Sequence, residues 1–244
     1  MTPFELINTE RYRDSPFSVP CPHCGSVATY EKGNTKTYPT HASQIAVVFG
    51  GAEPDVYCGT VFGVCRCNNR ECQEYVYFIG SYVTERDDFG DPPGYVQKFV
   101  IKCFFPAVPL IKIPPAAPKT VASLLRRSFA LAFMDQSASG NLLRSSLETL
   151  LTEERVPRFV TSKGERKQLM LHARIGQLPP AFASYKDGLL AIKWIGNAAS
   201  HTGLTVGNLK VAFDILEHLL EGLYGTRKRE LERAIKLINR RKKP

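Results

Sequence analysis

The amino-acid sequence predicts an α+β protein in two parts, a β-rich N-terminal module followed by an all-α helical bundle. Three observations carry this reading. Residues 1–105 contain runs rich in Val, Tyr and Phe that are bounded by turn residues, as strands are. Residues 106–119, PAVPLIKIPPAAPK, hold five prolines, which suit neither a helix interior nor a central strand. From Thr120 onward the apolar residues recur at i, i+3, i+4 spacing, the period of a helix with one buried face.

In chain order, the strand candidates are AVVFG at 46–50, DVYCGTVFGVC at 55–65, EYVYFIGSYV at 74–83 and YVQKFVIKCFF at 95–105. Asn68-Asn69 and FGDPPG at 89–94 supply turns between them. The proline-rich stretch 106–119 reads as an extended, fairly stiff linker. Residues 120–244 then form the helical domain. Val121, Leu124, Leu125, Phe129 and Ala132 mark a first helix, and Leu143, Leu147, Leu150 and Leu151 a second. A third is expected from about Glu165 to Leu178, stopped by Pro179-Pro180. A fourth starts near Ala181 and includes Phe182, Tyr185, Leu189 and Ile192. Leu209, Phe213, Leu216 and Leu220 trace a long apolar face, and Leu231, Ile235 and Ile238 mark a last helix between its charges.

The chain has 244 residues, 43% hydrophobic and 23% charged, which is ordinary globular composition and excludes wholesale disorder. No apolar run approaches the roughly 20 residues of a membrane span, so a membrane is not an expected partner. The opening MTPFELINTERYRD carries acids and lacks a basic segment followed by an apolar one, so a cytoplasmic location is expected. Thiols stay reduced there, and seven cysteines then call for metal ligation rather than disulfides.

Cys21-Pro-His-Cys24-Gly25 is the strongest local signal, paired with Cys67-Asn-Asn-Arg-Glu-Cys72. A C-x2-C turn puts two thiolates on one knuckle, and a second pair completes a tetrahedron at about 2.3 Å per Zn–S bond. Cys21, Cys24, Cys67 and Cys72 are thus the candidate ligands of a zinc ribbon. With four protein ligands no position is left for water, which makes the zinc structural. The gap from Cys24 to Cys67 exceeds that of compact fingers, so 34–55 should be an insertion or an extra hairpin. Cys65, two residues before Cys67, competes for its place; His23 reads as a bystander. Cys58 and Cys103 read as small buried hydrophobes.

The formal charge of +9 is concentrated at the C-terminal end. Nine cations, Arg227, Lys228, Arg229, Arg233, Lys236, Arg240, Arg241, Lys242 and Lys243, stand there against Glu230 and Glu232. Such an end favours RNA or DNA. The plainer alternative is a solvated helix end whose cations suit the helix dipole.

The run Lys193-Trp-Ile-Gly196-Asn197-Ala-Ala-Ser-His201 puts Asn197 and His201 one turn apart on one helix face, among small residues that allow close approach. Together with the cysteine pairs, Pro114-Pro115 and Arg144-Ser-Ser-Leu-Glu148, this order of motifs resembles a HEPN-like bacterial family, uncharacterised and often fused to type I restriction subunits. The resemblance implies a HEPN-like helical bundle, usually a homodimer, with a defence-system protein as a further partner. Active members of the wider group are metal-independent ribonucleases with an Arg-Asn-x3-His motif. Asn197 and His201 fall on its Asn and His, but Gly196 stands where the Arg would be. Lys193, one turn earlier, or Arg144, from another helix, could supply the missing cation. Three readings follow: a nucleic-acid-binding or interaction module, a ribonuclease using His201, and a purely structural dimer. No Gly-rich phosphate loop, paired catalytic carboxylates or Gly-x-Ser-x-Gly elbow is present, which argues against ATPase and ordinary hydrolase chemistry.

Overall fold

The computed structural model describes residues 2–50, 57–89, 93–162, 164–201 and 203–241. The FGDPPG turn falls partly at 90–92 and the start of the 55–65 strand at 55–56, both outside the described residues. Two compact units emerge: Met1–Leu110 with Phe129–Asp135, and Ile111–Ser128 with Gln136–Pro244.

The first unit is built on an antiparallel seven-stranded sheet. Its strands are β1 (Arg11–Tyr12), β2 (Ser18–Pro20), β3 (Val27–Tyr30), β4 (Lys36–Pro39), β5 (Cys58–Cys67), β6 (Tyr75–Asp87) and β7 (Gly94–Phe105). They run in the order β1-β7-β6-β5-β3-β2, with β4 also on β5. β6 alternates strictly, burying Val76, Phe78, Gly80, Tyr82 and Thr84 while Tyr75, Tyr77, Ile79 and Val83 face out. The buried face is an aromatic cluster. Phe17 stacks on Tyr30 at 4.7 Å, Phe78 on Phe99 at 5.5 Å, and Phe104 meets Phe133 edge-on at 4.9 Å. Gly63 sits opposite Phe78, and a Cβ there would come within 2.3 Å of the ring, so the cluster itself requires the glycine.

The second unit holds most of α2 (Lys119–Leu131), then α3 (Gln136–Glu153), α4 (Leu171–Ile175), α5 (Lys186–His201), α6 (Val206–Tyr224) and α7 (Thr226–Arg241). Leu143, Leu147, Leu150, Leu189, Ile192, Leu209, Phe213 and Leu216 are fully buried and form its core. Thr205 caps α6 by accepting from the Asn208 amide at 3.2 Å. Among the described residues, no helix is long and apolar enough to cross a membrane.

The structure corrects the expected fold class. The C-terminal part is not all-α, because β8 (Phe159–Ser162) and β9 (Glu165–Gln168) pair as an antiparallel hairpin between α3 and α4. Gly164, at φ +80°, leads into β9, and the third expected helix shrinks to the five residues of α4. The N-terminal part is likewise larger than a zinc ribbon, with strands of up to 13 residues. AVVFG is helical rather than extended. It ends α1 (His41–Gly50), whose entry is fixed by Thr40 Oγ1 accepting from the Ser43 amide at 3.2 Å. A side-chain cap ahead of the run outweighs the strand preference of two valines.

Candidate functional site

The two cysteine pairs close two neighbouring hairpins. Cys21 to Ser26 connect β2 to β3, with the Cys21 amide bonded to the Ser26 carbonyl at 2.6 Å and the Gly25 amide to the Cys21 carbonyl at 2.9 Å. Gly25 takes φ +75°, which a side chain would resist. Cys67 to Cys72 lie where β5 turns into β6, with the Cys67 amide on the Glu74 carbonyl and the Cys72 amide on the Asn69 carbonyl. β3 pairs with β5 through Ala28 and Cys67, so the sheet brings the two turns side by side.

All four sulfur atoms lie within 4.8 Å of one another. Cys21 and Cys72 are 3.8 Å apart and Cys24 and Cys67 3.5 Å. A tetrahedron with bonds of about 2.3 Å has edges of about 3.8 Å, so the set fits a four-thiolate metal site. Cys21, Cys24, Cys67 and Cys72 can therefore hold a metal ion. Ionisation in the cluster is uneven. Hydrogen bonds from the Ser26 side chain and amide, with help from neighbouring thiols, bring Cys24 down to about 6. Burial and the thiols around it hold Cys67 up. At Cys72 the Glu74 backbone favours the thiolate, but burial and the other three cysteines outweigh it and push the thiol up to about 12. The thiols are packed closely enough that ionising one makes the next ionisation costly.

Cys65 stays outside the set. Its burial, then the carboxylate of Glu31, push it up to about 12, the behaviour of an inert core thiol. His23 is outside the set of four, as expected of a non-ligand, but its Nδ1 lies 3.4 Å from Cys72 Sγ. Hydrogen bonds of that kind orient a ligand and tune its basicity.

In the helical unit, α3 and α5 bring the two ends of the second motif together. Arg144 Nη1 donates to Asn197 Oδ1 at 2.6 Å, and Arg144 Nε to Glu148 Oε1 at 3.3 Å. Gly196 eases the approach: a Cβ there would sit 3.1 Å from Arg144 Cδ, and the arginine would have to give way slightly. Lys193 goes elsewhere: its ammonium lies 3.5 Å from the centre of the Trp194 ring. His201 is on α5, one turn beyond Asn197, but its side chain lies outside the described residues, as do those of Arg227, Lys228, Arg229 and Arg241. Lys242 and Lys243 lie wholly outside them. Arg240 is exposed on α7.

Arg174 on α4 is a residue that sequence reasoning missed. It is 4% exposed and donates from Nη1 to the Glu148 carbonyl at 2.9 Å and from Nη2 to Thr152 Oγ1 and the Val156 carbonyl. Burial lowers its pKa; Glu148 opposes that and Arg158 adds to it. Nothing in the local sequence LHARI separates this arginine from a surface one.

Fold and site thus define an α+β protein that carries a closed set of four cysteines able to hold a metal ion. A family model described as "Domain of unknown function (DUF4145)" matches residues 126–241. No curated protein and no solved structure matches the chain.

Proposed function

We propose that the chain is a zinc-containing nucleic-acid-binding module that acts as a homodimer within a defence or restriction-type assembly. Zinc is the metal because four thiolates at tetrahedral spacing suit it and leave no open position for catalysis. The observation that carries nucleic-acid binding is α7. At about 1.5 Å per residue its 16 residues extend about 24 Å. Arg233, Lys236 and Arg240 stand exposed on it at helical spacing. Leu231, Ile235 and Ile238 are about half exposed on the same helix, an apolar stripe that supports pairing of two copies. The assembly rests on the resemblance of the motif order to the HEPN-like family.

Salt titration of binding to RNA and DNA tests this reading. If the protein neutralises about six phosphates, affinity falls roughly 10³-fold between about 50 and 200 mM salt. Replacing Arg233, Lys236 and Arg240 with glutamine lowers the slope by about 0.9 for each phosphate that is no longer neutralised. Binding that ignores salt would point instead to a structural dimer.

A second reading, a HEPN-type ribonuclease, is favoured by the bond from Arg144 to Asn197. It brings a guanidinium beside the position where the family motif has arginine and this chain has Gly196. In this reading His201 takes the proton from a ribose 2′-hydroxyl. The 2′-oxygen attacks phosphorus, the bond to the 5′-oxygen breaks and that oxygen is protonated, leaving a 2′,3′-cyclic phosphate and a 5′-hydroxyl. Arg144 offsets charge on the phosphate. Zinc-loaded protein in magnesium-free buffer should then cleave transfer RNA or single-stranded RNA. His201→Ala should abolish cleavage and Arg144→Ala reduce it about 100-fold. RNA left intact by the wild type would remove this reading.

A further inference from the structure

The helical unit has a cavity of about 420 Å³ between the C-terminal half of α3, the base of the β8–β9 hairpin and α4. That volume is in the range of small-molecule sites. Its walls differ in chemistry. Arg144, Arg158 and Arg174 bring three guanidiniums to it, against one carboxylate, Glu148, already bridged to Arg144. Among the described residues, no carboxylate lies within ion-pair distance of Arg158 or Arg174. Arg174 is buried nonetheless, its partners are all neutral oxygens, and its Nε–H has no acceptor. Three hydrogen bonds at the α3 end hold this cation, but its charge is not neutralised and one N–H is left over, which an anion would answer.

Ser145 and Thr149 of α3 also line the cavity. Each hydroxyl donates its proton back along the helix, Ser145 to the Asn141 carbonyl at 3.0 Å and Thr149 to the Ser145 carbonyl at 2.9 Å. What they offer a ligand is lone pairs. We propose that this cavity binds a small phosphorylated sugar, its phosphate on the guanidiniums and its hydroxyls on Ser145 and Thr149. Capping of the α3 end explains Arg174, but not why Arg158, exposed with its guanidinium 5.9 Å from the centre of the Phe159 ring, and the two hydroxyls line the same cavity. The site is independent of nucleic-acid binding by α7.

The test is thermal unfolding of the zinc-loaded full chain, titrated with ribose 5-phosphate, inorganic phosphate and ribose at constant ionic strength. The expected result is a saturable rise in melting temperature, strongest with ribose 5-phosphate, weaker with phosphate and absent with ribose. Arg158→Gln, a change at an exposed position, should weaken ribose 5-phosphate binding by roughly tenfold or more, the worth of a charge-assisted hydrogen bond. Thr149→Val should weaken ribose 5-phosphate and leave inorganic phosphate unchanged. No saturable rise with ribose 5-phosphate, or equal binding by wild type and Arg158→Gln, would overturn the proposal.

Discussion

Cys67→Ser is expected to abolish tight zinc binding and unfold the β-sheet unit. Cys67 ends β5, bonds its amide to Glu74 across the turn and stands opposite Ala28 of β3, so its sulfur ties one hairpin to the other. Structural zinc contributes roughly 10–16 kcal/mol of apparent binding free energy in small domains, and losing one of four thiolates removes the tetrahedral set on which it depends. Domain stability is typically about 5–15 kcal/mol, so a loss on that scale removes most or all of it. Chelation of the wild type should give the same loss of sheet signal. Cys65→Ser is the matched control. It alters a buried thiol outside the set of four, so zinc should stay bound and the cost should be about 1–3 kcal/mol. His23→Ala should keep the fold and weaken zinc about 10- to 100-fold, as loss of a ligand's hydrogen-bond partner does. Metal content and far-UV circular dichroism read all three.

Arg174→Ala is expected to destabilise the helical unit by about 3 kcal/mol, read by urea denaturation. Its guanidinium makes three hydrogen bonds, to the carbonyls of Glu148 and Val156 and to Thr152 Oγ1, joining α4 to the last turn of α3 and the residues just beyond it. Bonds to a charged donor contribute about 1.5–3 kcal/mol each, and burial of the charge offsets part of that gain. A cation at this end of α3 also meets the negative end of the helix dipole. Arg174→Lys keeps the charge but cannot span three acceptors with a planar fork, so it should recover less than half of the loss. No measurable change in Arg174→Ala would mean that the helix ends hold without the clamp.

Much of the four-cysteine set was legible in the sequence because its information is local. Each cysteine pair falls within six residues, and Gly25 follows the first pair where the backbone needs a positive φ. The long strands were legible from their alternation, most clearly in β6. The misreadings arise where a local choice competes with a short signal. AVVFG carries strand-forming residues, but Thr40 starts a helix ahead of it. ERKQ has no apolar period of its own, and Gly164 turns it back onto Phe159–Ser162. Arg144 and Asn197 are 53 residues apart, and only the packing of α3 on α5 shows that Gly196 leaves room for the arginine between them. The environment of Arg174 is likewise tertiary. One buried arginine looks like any of the exposed cations in the chain until the end of α3 is built around it.

Whether the four-cysteine set is a zinc site is tested most directly by metal analysis of the purified chain combined with counting of reactive thiols. One zinc per chain is expected, with Cys21, Cys24, Cys67 and Cys72 protected from alkylation until a chelator is added. A chain that folds without metal, or one whose Cys67 and Cys72 react as freely as Cys58 while zinc is bound, would contradict it.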